Sequence, residues 1–243
     1  MKRYFYDLHL HSCLSPCGDD DMTPGNIAGM ASLNGLNLVA LTDHNSVRNT
    51  PAFCEICEQM GILAIPGMEI TTAEDIHIVA LFTSVEDAQS FEEATQPYRI
   101  LYKNPVDIYG HQFVMDQNDA VIAEEEYLLS NALLLPLSDA VALARAHGAL
   151  VYPAHIDREA NGIIAILAGI PEELNFRVVE FHDPQKIPEY TAKYHLEDKR
   201  IVVSSDAHYL WDINDPCNSF DFEPADTPID TRRKFFAMLE GSE

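Results

Sequence analysis

Seven short apolar runs, separated by stretches of helical period, outline what this 243-residue chain can fold into. The runs lie at 4–10, 36–41, 62–66, 76–82, 149–152, 176–181 and 201–204. Several are almost continuously apolar, as expected of strands covered on both faces of a parallel sheet. Helices are predicted between them at 23–34, 51–60, 85–98, 137–147, 188–194 and 229–239. Thr23-Pro24 and Ser138-Asp139 read as helix starts, and Gly35, Gly61 and Gly148 as stops. Around 111–126 the rhythm breaks: Phe113-Val114-Met115 and Val121-Ile122-Ala123 flank Asp116 to Asp119 as strands flank a hairpin turn. No glycine-rich phosphate loop is present, which argues against an open dinucleotide-binding sheet. The expected fold class is therefore α/β: a distorted (β/α)7 barrel in one domain over 1–243, with an inserted hairpin and functional groups at the carboxyl ends of the strands.

The chain is 47% hydrophobic and 22% charged, enough to build a substantial core and inconsistent with disorder or a small disulfide scaffold. Its formal charge of −24 repels polyanions, so neither long nucleic acid nor an anionic membrane is an expected partner. The longest apolar stretch, 163–171, is far short of a membrane span, and Asp7, His9 and His11 interrupt the amino terminus where a secretory signal would need an apolar run. Together with five cysteines, an odd number, this predicts a cytoplasmic protein with reduced thiols. Cys54 and Cys57 form a single CxxC inside a predicted helix, with no second pair to complete a zinc site.

The residues at the ends of the apolar runs are more informative. His9 and His11, two apart, project to one side of an extended segment. Thr42-Asp43-His44 comes after the second run and Pro66-Gly67-Met68-Glu69 after the third, while His77 lies within the fourth. Ala154-His155, Glu180-Phe181-His182 and Ser205-Asp206-Ala207-His208 accompany the last three. Any one of these has an ordinary explanation, as a helix cap or a hydrogen-bonded core histidine. Seven together would be costly to desolvate in one mouth without cations. Imidazole and carboxylate without obligatory thiolate suit zinc, iron or manganese, and about nine ligands suit two or three ions. Closely spaced divalent ions serve displacement at phosphorus.

These residues resemble the PHP (polymerase and histidinol phosphatase) family of metal-dependent phosphoesterases. The matching pieces are Asp7-Leu8-His9-Leu10-His11-Ser12, Leu41-Thr42-Asp43-His44-Asn45, Gly67-Met68-Glu69-Ile70, Ile76-His77-Ile78-Val79, Ala154-His155 and Ser205-Asp206-Ala207-His208. The resemblance implies metal ligands at His9, His11, His44, Glu69, His77, His155, Asp206 and His208. Counting back from Thr23-Pro24 selects Asp19 as a ninth, with Asp20 or Cys17 as alternatives because the loop is about three residues longer than the common form. Arg158, three residues after His155, is the candidate for gripping a substrate phosphate, the ordinary alternative being a surface ion pair. His182 faces the same mouth. Tyr152 reads as packing, and His111, His147 and His195 as surface residues or caps.

The resulting expectation is a phosphoric ester hydrolase in which a metal-bridging hydroxide attacks a small phosphomonoester, a nucleotide or sugar phosphate, with Glu69 and Asp206 as bridging carboxylates and a trinuclear site as the upper limit. The runner-up is a 3'-5' or 5'-3' exonuclease on short oligonucleotides. A reading of another class, a non-catalytic metal-binding regulatory module, is opposed by the near-complete ligand set. Oligomeric state is not legible.

Overall fold

The structure of the protein is a computed structural model, described over residues 1–241. In chain order the elements are β1 (Lys2–Leu10), α1 (Pro24–Leu33), β2 (Leu38–Leu41), α2 (Thr50–Gln59), β3 (Leu63–Thr71), β4 (His77–Leu81) and α3 (Val85–Thr95). Then come α4 (Val106–Tyr109), β5 (Phe113–Met115), β6 (Val121–Glu124), α5 (Leu137–Ala146), β7 (Leu150–Pro153) and α6 (Ile163–Leu167). The chain finishes with β8 (Val178–Phe181), α7 (Ile187–Tyr194), β9 (Arg200–Val203), β10 (Ser219–Phe222) and α8 (Pro228–Glu240).

Local chemistry accounts for the helix boundaries. The Thr23, Ser84 and Thr227 side chains accept from the backbone N–H of Asn26, Asp87 and Asp230, capping α1, α3 and α8. After α5, His147 caps the last turn and Gly148 takes φ +78°, a left-handed turn open to glycine without a Cβ penalty, which feeds the chain into β7.

The result is a mixed α/β fold around a curled six-stranded sheet ordered β10-β1-β2-β3-β4-β7. β1, β2 and β3 run parallel, as their apolar runs predict. β4 departs from that expectation: it is antiparallel to both β3 and β7. The reason is length, because the connection Thr72 to Ile76 closes as a tight turn, the Thr72 N–H donating to the Ile76 carbonyl at 2.9 Å, and cannot hold the crossover a parallel strand needs. Regular strand–helix alternation therefore fails at this point. β8 and β9 form a parallel pair tied to the segment after β7 and to the end of β1: Ile156 N–H donates to the Glu180 carbonyl at 2.9 Å, and Leu10 bridges Ala207 in parallel. β5 and β6 pair antiparallel as a hairpin. The edge strand β10, antiparallel to β1, and the short helices α4 and α6 were not predicted.

Leu8, Leu38, Ala40, Ile65, Leu81 and Tyr152 fill the inside of the curl with apolar side chains, while Phe82, Phe91, Val141 and Phe176 pack the helices outside. Cys54 and Cys57 are buried on α2, where burial pushes the Cys54 thiol up to about 12. Among the described residues, no helix is long and apolar enough to cross a membrane.

Candidate metal centre

β1 presents His9 and His11 on one side because they are two residues apart, and both are fully buried. The two Nε2 atoms lie 3.1 Å apart. His44 follows β2 and is held beside Glu69 by a bridge extending the parallel register. The reversal of β4 explains His77: an antiparallel strand begins, rather than ends, at the mouth. His155, Asp206 and His208 follow β7 and β9.

Glu69 sits at the centre. Its Oε1 lies 2.8 Å from His77 Nδ1, 3.1 Å from His155 Nε2 and 3.3 Å from His9 Nε2, and its Oε2 lies 3.0 Å from His44 Nδ1 and 3.3 Å from His11 Nε2. Asp206 Oδ1 lies 3.1 Å from His11 Nε2 and 3.4 Å from His9 Nε2. The structure thus brings together all eight residues implied by the resemblance. Three overlapping groups among them offer ligand atoms mutually within 4.8 Å: His9, His11, Glu69 and Asp206; His11, His44 and His208; and His44, Glu69 and His77.

The donor set fits divalent cations on an observation of its own. His44 Nδ1, Glu69 Oε2, His155 Nδ1 and Asp206 Oδ1 are all buried yet make no well-formed hydrogen bond. Buried polar atoms without partners are costly, and a cation satisfies lone pairs that converge from several sides. Burial opposes charging His9, but Glu180, Glu69 and Asp206 outweigh it and raise its pKa well above the usual value. Burial likewise favours a neutral Glu69, yet His77, His9 and His44 hold its carboxyl well below the usual range. His77 is the exception, since burial lowers it.

The remaining expected residues fall differently. Asp19 is turned away: its Oδ1 accepts the Asp21 N–H at 2.9 Å, closing an exposed turn, and Asp19 belongs to none of the three groups. Asp20 is exposed. Cys17 is exposed and likewise belongs to none of the three groups. Arg158 reaches the mouth and pairs with Asp206 through Nη1 and with His182 Nδ1 at 3.1 Å through Nη2, rather than with a surface acid. Burial and then Arg158 lower the His182 pKa. Tyr152 is core, His147 and His195 are helix C-caps, and His111 pairs with Glu124 at 2.8 Å on the hairpin.

Three residues have positioning roles that the sequence pattern does not assign. Glu180 Oε1 receives His9 Nδ1 at 2.8 Å and the His155 N–H at 3.0 Å. Ser15 Oγ lies 3.0 Å from His11 Nδ1 and donates to Asp43 at 2.7 Å, and Asp43 also accepts from the Ser12 N–H and hydroxyl at 2.7 Å each. Their signal was weak: Glu180 and Asp43 look like any acid at a strand end. His155 and Asp206 take φ of +25° and +53°. Such conformations cost on the order of 1–3 kcal/mol each and persist where surroundings impose them, as the Glu180 clamp on His155 does.

A family model for the PHP domain matches residues 7–161. The chain belongs to the PHP family. Among curated relatives, the uncharacterized protein MJ1587 of Methanocaldococcus jannaschii is 33% identical over 84 residues, 31% of this chain and 48% of that protein. A 5'-3' exoribonuclease of Haemophilus influenzae is 35% identical over 79 residues, 31% of this chain and 28% of that enzyme. The matches therefore span less than half of each relative. Among solved structures, the lesion-specific endonuclease PfuEndoQ of Pyrococcus furiosus superposes with a TM-score of 0.70 at 17% identity, over 100% of this chain and 57% of that one. At that identity the likeness concerns the fold of this PHP chain.

Proposed function

We propose that this PHP chain is a metal-dependent phosphoesterase that hydrolyses a small phosphomonoester, a nucleotide ahead of a sugar phosphate. The observation that carries the reading is Glu69, one buried carboxylate with the ring nitrogens of five histidines within 3.3 Å. On this reading the curled sheet and the β8–β9 pair are parts of a distorted seven-stranded barrel, and His9, His11, His44, Glu69, His77, His155, Asp206 and His208 hold two or three zinc, iron or manganese ions at its mouth. Such ions, when bound, supply the positive charge that offsets negative charge developing on a phosphoryl group.

The protein's own groups do the rest. Glu180 fixes the His9 ring and the His155 backbone, so ligand nitrogens are aimed before anything binds. Arg158, with its side chain about one-third exposed and donors left over after Asp206 and His182, grips a phosphate oxygen. Trp211, 75% exposed and stacked on Tyr209 at 4.9 Å just after His208, offers a flat face suited to a nucleobase, which favours a nucleotide. The charge of −24 favours a single phosphate over a strand, because each further phosphate meets an acidic surface within a screening length of about 8 Å. The same charge and thiol content fit a cytoplasmic protein.

The test is kcat/KM for a nucleoside monophosphate against oligonucleotides of increasing length, at low and high salt. The reading expects efficiency to fall with length. Efficiency that rises with length and drops steeply with salt would replace it with a short-range exonuclease, in line with the exoribonuclease relative.

A further inference from the structure

Asn49 immediately precedes α2, where an asparagine side chain ordinarily caps the helix, yet its side chain makes no capping bond. It is fully buried and its amide is engaged elsewhere. Its Oδ1 accepts the Met115 N–H at 2.8 Å and its Nδ2 donates to the Phe113 carbonyl at 3.0 Å, so the backbone of the inserted hairpin settles which way the amide points. The other Nδ2 proton goes to Ser12 Oγ at 2.9 Å.

Inward from Ser12 every proton has one place to go. Ser12 Oγ receives Asn49, and its own proton goes to Asp43 Oδ2 at 2.7 Å. Asp43 Oδ1 accepts the Ser12 N–H and the Ser15 hydroxyl, also at 2.7 Å each. A hydroxyl has a single proton to give. Ser15 gives its proton to Asp43, so its oxygen accepts both the His44 N–H at 3.2 Å and His11 Nδ1 at 3.0 Å. His11 therefore carries a proton on Nδ1 and turns Nε2 toward Asp206 Oδ1 at 3.1 Å and Glu69 Oε2 at 3.3 Å. An imidazole lone pair and two carboxylate oxygens converge there as ligands converge on a cation. Ser12, Ser15, Asp43 and Asn49 are all buried, so water does not compete along this path.

We propose that Asn49 is a positioning residue of the metal centre: aimed by the hairpin backbone, it acts through Ser12, Asp43 and Ser15 to hold the His11 ring with its proton on Nδ1 and its Nε2 open to an ion. It touches neither ion nor substrate itself. Ser15 bonds the His11 ring directly, whereas Asn49 reaches it only through three other residues, so its effect is the smaller of the two. The proposal rests on the reading that the histidine–carboxylate cluster holds ions, and concerns what aims one ligand within it.

The experiment measures zinc affinity of the full chain by competition with a chromophoric chelator, beside urea unfolding of the metal-free chain, for wild type, Asn49→Ala, Ser15→Ala and the double variant. Ser15→Ala should weaken binding roughly 10–100-fold, as a ligand histidine does on losing its outer partner, and Asn49→Ala by a smaller factor of about three to ten. The double variant should bind no more weakly than Ser15→Ala, because Asn49 acts through Ser15. A purely structural Asn49 would lower the urea midpoint and leave the affinity of the folded chain unchanged. Asn49→Asp keeps an acceptor for the Met115 N–H and loses both donors, so it makes the same comparison should Asn49→Ala not fold. In nitrogen NMR of zinc-loaded chain with isotope-labelled histidine, the signal lost in His11→Gln should show its proton on Nδ1 in wild type. A folded Asn49 variant with wild-type zinc affinity, a double variant weakened by both factors, or a His11 proton on Nε2 overturns the assignment of Asn49 alone. A wild-type chain that binds no zinc overturns this assignment and the underlying metal reading together.

Discussion

Replacing Glu180 separates two things the carboxylate does. Its Oε1 alone takes both the His9 ring and the His155 N–H, whereas Oε2 is buried without a partner. Glu180→Ala therefore strands two buried donors. At about 1–3 kcal/mol for each, the loss is about 2–6 kcal/mol, a large part of a typical total of roughly 5–15 kcal/mol. Glu180→Gln keeps an acceptor at the Oε1 position for both donors but buries an NH2 where nothing was bonded, so only part of that stability survives while the charge is gone. Metal affinity follows a different order, because a histidine ligand without its outer partner loses roughly 10–100-fold in affinity. The assay pairs urea unfolding of metal-free protein with a metal titration of each variant. The expected ranking is wild type, then Gln, then Ala in both. If Ala matches wild type in metal affinity, Glu180 does not orient His9 for a metal.

Arg158→Ala should leave the fold intact while raising KM, and wild-type kinetics on every accepted phosphate ester would remove Arg158 from substrate binding. Trp211→Ala should weaken nucleotide hydrolysis but spare sugar phosphates; equal losses on both would rule out base stacking. The Cys54 thiol, pushed up to about 12 by burial, should stay protonated and unalkylated by iodoacetamide at pH 8 while exposed Cys217 labels, as read by mass spectrometry of native protein; rapid Cys54 labelling would contradict its burial. Burial also raises the Glu92 carboxyl despite the Ser46 hydroxyl at 2.6 Å. A raised folded-state pKa means Glu92 contributes most below its unfolded value, and that contribution is lost as pH rises through the folded one. Glu92→Gln should accordingly gain stability relative to wild type between pH 4 and pH 7, and a difference in urea midpoints that stays flat or reverses would refute this.

The parts of this structure that could be read in advance share one property: they are periodic. Apolar runs placed the strands β1 to β4 and β7 to β9, and spacing by two placed His9 and His11 on one face. Direction is not periodic. The run that became β4 carries no mark of being antiparallel, and only the short connection from Thr72 to Ile76 could have revealed it. β10 was missed because Ser219-Phe220-Asp221-Phe222 is an edge strand with polar residues facing out. Counting back from Thr23-Pro24 assumes a loop of standard course, whereas the chain packs tightly at Gly18 and the Asp19 carboxylate accepts the Asp21 N–H, outside the three ligand groups. Glu180 was seen but given no role, since its partner His9 is 171 residues away and nothing local connects them.

The central claim is that the cluster around Glu69 acts through bound divalent ions. The most direct measurement is phosphate release from a nucleoside monophosphate by one preparation assayed three times: as purified with its metal content determined, after exhaustive chelation, and after re-addition of zinc, iron or manganese. The account predicts two to three ions per chain at the start, loss of activity and a lower Tm on chelation, and recovery of both on re-addition. Full activity in a chain shown to hold no metal would contradict it.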